Sequence, residues 1–133
     1  MKGNTMNKTI SGMLIIAAII HLLPAVGVLG AERLTNLYGL PFQEPNLLIM
    51  MRHRAVLFGL LGLFLLYAAF NPGLQAAALI AGVISAASFL LLAWSVGGYN
   101  AALNRVVIAD VVALACLLLA SVLYLMGVGA KNP

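Results

Sequence analysis

Four long apolar runs, separated by short polar breaks, set the reading of this chain. They cover Ile10 to Leu29, Leu47 to Phe70, Leu74 to Ser95 and Val106 to Met126. Each is on the order of 20 residues, the length a helix needs to cross a hydrocarbon core of about 30 Å. None shows the ten-residue alternation of a membrane β-strand. A helix satisfies its own backbone hydrogen bonds away from water, so helices are the expected spanning form. The pattern predicts an all-α integral membrane protein, a single transmembrane domain over residues 1–133.

The breaks predict the connectivity. Met1 to Thr9 reads as a polar lead carrying Lys2 and Lys8. Basic residues before an apolar core are also the layout of a signal peptide. This run is long enough to span, however, and no hydrophilic domain follows, so an uncleaved first span is expected. Ala31 to Asn46 is the longest connection, and Leu34, Leu37 and Tyr38 are spaced for one interfacial turn of helix ahead of Gly39. Asn71-Pro72-Gly73 is a tight turn signal, and Gly97-Gly98-Tyr99-Asn100 forms the third connection. Trp94 fits the interface level. Gly127 to Pro133 reads as a frayed tail. Short second and third connections force antiparallel neighbours, so the spans form an antiparallel four-helix bundle with both termini on one side.

Small residues recur at helical spacing: Ala55, Gly59 and Gly62 in the second span, Ala78, Gly82 and Ala86 in the third, Ala109 and Ala113 in the fourth. Such strips let helices approach closely in lipid. They serve either the bundle itself, the preferred reading, or a homo-oligomer.

Composition agrees and narrows the function classes. The 133 residues are 64% hydrophobic and 8% charged, with a mean hydropathy of +1.11. Soluble domains carry about 25% charged residues. The net charge of +4 does not point to nucleic acid, because no basic patch with interleaved aromatics occurs. It reads instead as topology signal and headgroup contact, making membrane lipids the first expected partners. Lys2, Lys8 and Lys131 lie on the terminal side, which favours termini in the cytoplasm if the arginines opposite belong to an embedded site. The single Cys116 allows no internal disulfide and reads as a small buried hydrophobe. No metal-type Cys/His spacing occurs, and His21 and His53 lie at unlike depths for haem ligands, so no cofactor is expected.

The candidate chemistry gathers at the non-terminal end. Arg52, His53 and Arg54 stand in a row within apolar sequence. A charge near hydrocarbon is snorkelled, paired or functional. At 1.5 Å per residue, Arg54 lies roughly 10 Å inward from Leu47, and Asp110 roughly 6–8 Å inward from Arg105. Asp110 is the acid within a span, so a pair with Arg54 is expected, with Arg52 as the alternative. The two arginines stand about 200° apart on a helix. One therefore faces the bundle, and the other reaches Glu44, Glu32 or a lipid phosphate. Arg105 and Asp110 are about 140° apart, so Arg105 turns outward or toward the loop acids. Tyr99, Asn100 and Asn104 stand at the same mouth. His21, deep in the first span and one turn before Pro24, is either a proton relay beside Asp110 or an interhelical hydrogen bond to a serine or freed carbonyl. Pro24 cannot donate to the carbonyl of Ile20 and is expected to disturb the helix there.

The runs Leu37-Tyr38-Gly39-Leu40, Met51 to Gly59 and Gly97-Gly98-Tyr99-Asn100, followed by Arg105-Val106 and Ala109-Asp110, resemble a group of small bacterial four-span inner-membrane proteins, loosely similar to the DoxX-like proteins. The resemblance covers nearly the whole chain. It implies a bacterial inner-membrane location but no activity, so no catalytic role is carried over. The trimeric four-span enzymes of eicosanoid and glutathione metabolism share the size and span count, but this chain lacks their Arg-Ala-His-x-Asn type of motif.

Three functions remain in view. The first is a binding protein whose Arg52, His53, Arg54, Arg105 and Asp110 mouth, with Glu44, Tyr99 and Asn100 around it and His21 below, takes an anionic or amphipathic ligand such as a lipid headgroup or quinone-like molecule. The second is a membrane enzyme using Asp110 or His21 as acid or base. The third is an accessory subunit of a larger membrane complex.

Overall fold

The computed structural model describes the backbone of residues 2–131 and the side chains of residues 3–128. Met1, Asn132 and Pro133, and the side chains of Lys2 and Lys131 used in the topology argument, lie outside the described residues. The elements are α1 (Lys2–Leu22), a 3-10 segment (Leu23–Leu29), α2 (Ala31–Tyr38), α3 (Pro45–Ala69), a 3-10 turn (Pro72–Leu74), α4 (Gln75–Val96) and α5 (Ala101–Lys131). No strand occurs among the described residues. Four segments are long and apolar enough to cross a membrane: Gly3–Leu29, Pro45–Ala69, Pro72–Val96 and Ala101–Val128.

Local sequence explains most of the boundaries. The α-helical part of the first span stops at Leu22, where Pro24 withdraws a donor, and the chain tightens into the 3-10 segment. In α2, Leu34 and Tyr38 are four apart on one face and buried, while Glu32, Arg33, Thr35 and Asn36 are exposed. Gly39 ends α2 at φ +69°, a left-handed conformation that favours glycine. An ideal Cβ there would also lie 3.1 Å from both the Asn100 amide nitrogen and Ala102 Cβ, so Gly39 lets the end of α2 approach the start of α5. Pro45 occupies the first turn of α3, where no backbone donor is needed.

Two boundaries differ from expectation. The polar lead is the start of α1, and the tail from Gly127 to Lys131 continues α5. Polarity in Gly3–Thr9 marks exposure rather than a break, because no proline interrupts the helix and Thr9 Oγ1 donates back to the Thr5 carbonyl at 2.9 Å.

The long helices form a square. α1 packs on α3 and α5, and α4 packs on the same two. Chain direction makes every neighbouring pair antiparallel, with α1 and α4 on one diagonal. Ser11 of α1 donates to the last carbonyl of α3, Ala69, at 2.6 Å. The interior is built from small residues around a few leucines: Ala17, Ala18, Ala68, Ala78, Ala86 and Ala120 are buried with Leu14, Leu65 and Leu117. The large residues point outward: Leu57, Leu60, Ile80, Leu91, Ile108 and Leu125 are all more than half exposed. This arrangement suits a chain whose outer solvent is lipid and whose helices associate by close packing. Ala78, Gly82 and Ala86 of the third-span strip face inward, as do Ala55, Gly62 and Ala113. A Cβ on Gly62 would lie 2.7 Å from Leu22 Cγ and 3.2 Å from the Ala18 carbonyl. The strips therefore serve the bundle.

A second cluster caps the non-terminal end. Leu34, Tyr38 and Phe42 are buried there, with Leu37, Leu47, Met51, Leu103 and Val106 against them. It holds α2 across the mouth of the bundle.

Candidate functional site

Tyr38 organises the mouth. Its ring is buried in the cap cluster, and its hydroxyl accepts a hydrogen bond from Arg54 Nη1 at 2.8 Å. Its carbonyl accepts from Asn100 Nδ2 at 2.9 Å. Asn100 Oδ1 in turn accepts the Leu103 backbone N–H at 2.8 Å, capping α5. One tyrosine thus ties α2 to α3 through its side chain and to α5 through its backbone.

Arg54 is half-buried and turned inward. Its guanidinium carbon lies 4.7 Å from the Phe58 ring centroid, 5.5 Å from Tyr38 and 5.7 Å from Phe89. Such faces attract a cation by about 0.5–2 kcal/mol, more when water is excluded. Phe58 follows Arg54 by one helical turn, so α3 itself supplies the nearest ring. The expected ion pair with Asp110 is not formed. Arg54 acts on Asp110 electrostatically, but its one hydrogen bond among the described residues goes to Tyr38. Side-chain reach was settled by the aromatic box and the hydroxyl, which hold the guanidinium away from the carboxylate.

The two charges open on different clefts. Arg54 lines a cleft of about 540 Å³ with Tyr38, Met51, Phe89, Tyr99 and Asn100. Asp110 lines one of about 250 Å³ with Arg105, Asn36, Ile20, Pro24 and Val106. In place of the single mouth expected from the sequence there are two clefts with no lining residue in common.

The second arginine does take a separate role. Arg52 is exposed, and its Nε donates to the Val28 carbonyl of the 3-10 segment at 2.8 Å. It reaches neither Glu44 nor Glu32 by any contact among the described residues. Val28 is the next-to-last residue of the 3-10 segment, where the carbonyls at a helix end lack intrahelical partners. His53 is exposed on the outer face of α3, and Arg105 also turns outward. Glu44 is a helix cap: its carboxylate accepts from Asn46 N at 3.0 Å, Asn46 Nδ2 at 2.9 Å and Leu47 N at 2.8 Å. The Asn46 and Leu47 amides hold its carboxyl below the ordinary glutamate range.

His21 is fully buried. Its Nδ1 lies 2.8 Å from the Ala17 carbonyl, which can only accept, so Nδ1 carries a proton. Nε2 lies 3.3 Å from Ser85 Oγ across the α1–α4 diagonal. In the neutral ring Nε2 accepts from that hydroxyl. The ring centroid is 5.9 Å from Phe58. Both nitrogens are engaged, and His21 lines neither cleft. The interhelical hydrogen bond, not the relay beside Asp110, is the arrangement formed.

Phe89 and the double role of Tyr38 were not legible as site residues. The signal for Phe58 was its spacing of four from Arg54; Phe89 comes from another helix and carried none.

No metal-binding cluster of His, Cys, Asp and Glu occurs among the described residues. No family model, curated protein or solved structure matches the chain.

Proposed function

We propose that this membrane protein binds an amphipathic molecule with an anionic head, the head meeting Arg54 and the tail leaving along the apolar walls of the larger cleft. The observation that carries the reading is the state of Arg54. Its guanidinium has five N–H donors, hydrogen-bonds to a neutral hydroxyl, touches no carboxylate among the described residues and lines an open cleft of about 540 Å³. Phe89 and Met51 give apolar wall, and Tyr99 and Asn100 stand at the rim. A lipid headgroup or a quinone-like molecule with an acidic head fits this chemistry. The engagement of both His21 nitrogens weighs against the enzyme reading that used His21. A bacterial inner-membrane setting, cytoplasmic termini and the DoxX-like kinship belong to the same proposal.

The probe is dodecyl phosphate, titrated onto the full chain in neutral micelles and read by native mass spectrometry. Saturable binding is expected, weakened about 10- to 100-fold by Arg54→Gln, the equivalent of losing one hydrogen bond to a charged group. Unchanged affinity in the folded variant refutes the reading.

A further inference from the structure

Asp110 is only 6% exposed, yet among the described residues it accepts no hydrogen bond and touches no cation. A carboxyl group so placed is costly unless something donates to it. It lines the smaller cleft, walled by the 3-10 segment, α2 and α5, which shares no lining residue with the Arg54 cleft. We infer that this cleft is a second binding site, for a neutral amphiphile whose hydroxyl head donates to the Asp110 carboxyl.

Charge selects the head. Arg54 acts on Asp110 from a distance, so one cation already offsets the carboxyl, and Arg105 stands exposed at the cleft rim. An ammonium head would add positive charge beside both arginines. An anionic head would face the carboxyl itself. A neutral O–H donor completes the carboxyl without altering the balance.

Size selects the rest. The cleft holds about 250 Å³. An apolar cavity of about 150 Å³ takes a benzene ring, so there is room for one substituted ring. Asn36 and Arg105, both exposed, mark the interfacial rim, while Ile20, Pro24 and Val106 form the apolar wall. Leu23, also on the lining, is 58% exposed on the outer surface. An alkyl tail leaves there into the bilayer.

The test uses 4-octylphenol and its methyl ether, 4-octylanisole, which differ only in the donor. Binding to the full chain in neutral micelles is followed by native mass spectrometry. One saturable phenol adduct is expected, with the ether at least about tenfold weaker. Asp110→Leu should weaken the phenol by a similar factor. Ala109→Phe keeps the carboxyl and fills the cleft, and should also abolish the adduct, so the result does not hang on the folding of one variant. Leu60→Ala, on the lipid face, should bind as the wild type. Equal affinity for phenol and ether overturns the inference. So does displacement of the phenol by dodecylammonium, or wild-type binding by folded Ala109→Phe. The phenol is neutral, and dodecyl phosphate reports on Arg54, so this site and the proposed function fail separately.

Discussion

Asn100→Ala removes two hydrogen bonds with one truncation. Oδ1 caps α5 through the Leu103 amide at 2.8 Å, and Nδ2 holds the Tyr38 carbonyl at 2.9 Å. Losing a helix cap costs about 1 kcal/mol. Losing a neutral hydrogen bond between elements costs about another 1 kcal/mol. The expected loss is therefore about 2 kcal/mol, about a 30-fold change in the folding equilibrium. Asn100→Ser separates the two contributions, because serine still caps the helix but cannot reach Tyr38; it should lose about 1 kcal/mol. Equilibrium unfolding in mixed micelles reads both, with the fluorescence of Trp94, the single tryptophan, as reporter. Trp94 lies in the last turn of α4, at the same end of the bundle. The reasoning is refuted if Asn100→Ala stays within about 0.5 kcal/mol of wild type, or if serine loses as much as alanine. The first outcome would mean that Tyr38 is held by packing alone, and the second that Asn100 contributes nothing as a cap.

Three further outcomes test other parts of the molecule. Gly62→Val should destabilise the bundle by about 1–3 kcal/mol in the same unfolding assay, because even the first added carbon meets Leu22 and the Ala18 carbonyl; Gly12→Val, with open space around an added Cβ, should lose much less. Ser85→Ala should cost about 0.6 kcal/mol, the usual size of a side-chain hydrogen bond between membrane helices, with Ser88→Ala as the comparison because Ser88 bonds only within its own helix. Glu44 has a folded-state pKa below its ordinary value of 4.5, so its capping contribution is fully present above that value and is lost as pH falls through the depressed one. Stability followed down the acid range should show this loss in the wild type and lack it in Glu44→Gln; identical profiles would remove Glu44 as the cause.

The candidate site was legible in part. Its end of the bundle followed from where charges interrupt apolar sequence, and the opposed roles of Arg52 and Arg54 followed from helical angle. Their actual partners did not follow. Arg52 bonds to a carbonyl at the end of the 3-10 segment, and Arg54 settles among rings from three different helices. Glu44 serves as a cap and not a counter-charge because it stands directly ahead of Pro45, where the unpaired amides of the helix start take its carboxylate. His21 was correctly placed as deep, but which helix would offer it a hydroxyl depended on the diagonal of the bundle.

Hydrophobic run length, glycine and proline punctuation, and the small-residue strips by themselves determined four crossing helices and their antiparallel connections. Those properties act within one helix or between chain neighbours, where spacing in sequence is spacing in space. Tertiary structure alone decided that α2 packs against the starts of α3 and α5, and that Arg54 and Asp110 line separate clefts. The reason is reach: an arginine finds whichever acceptor and rings the neighbouring helices present, and the Tyr38 hydroxyl on α2 stands nearer to Arg54 than the carboxylate on α5.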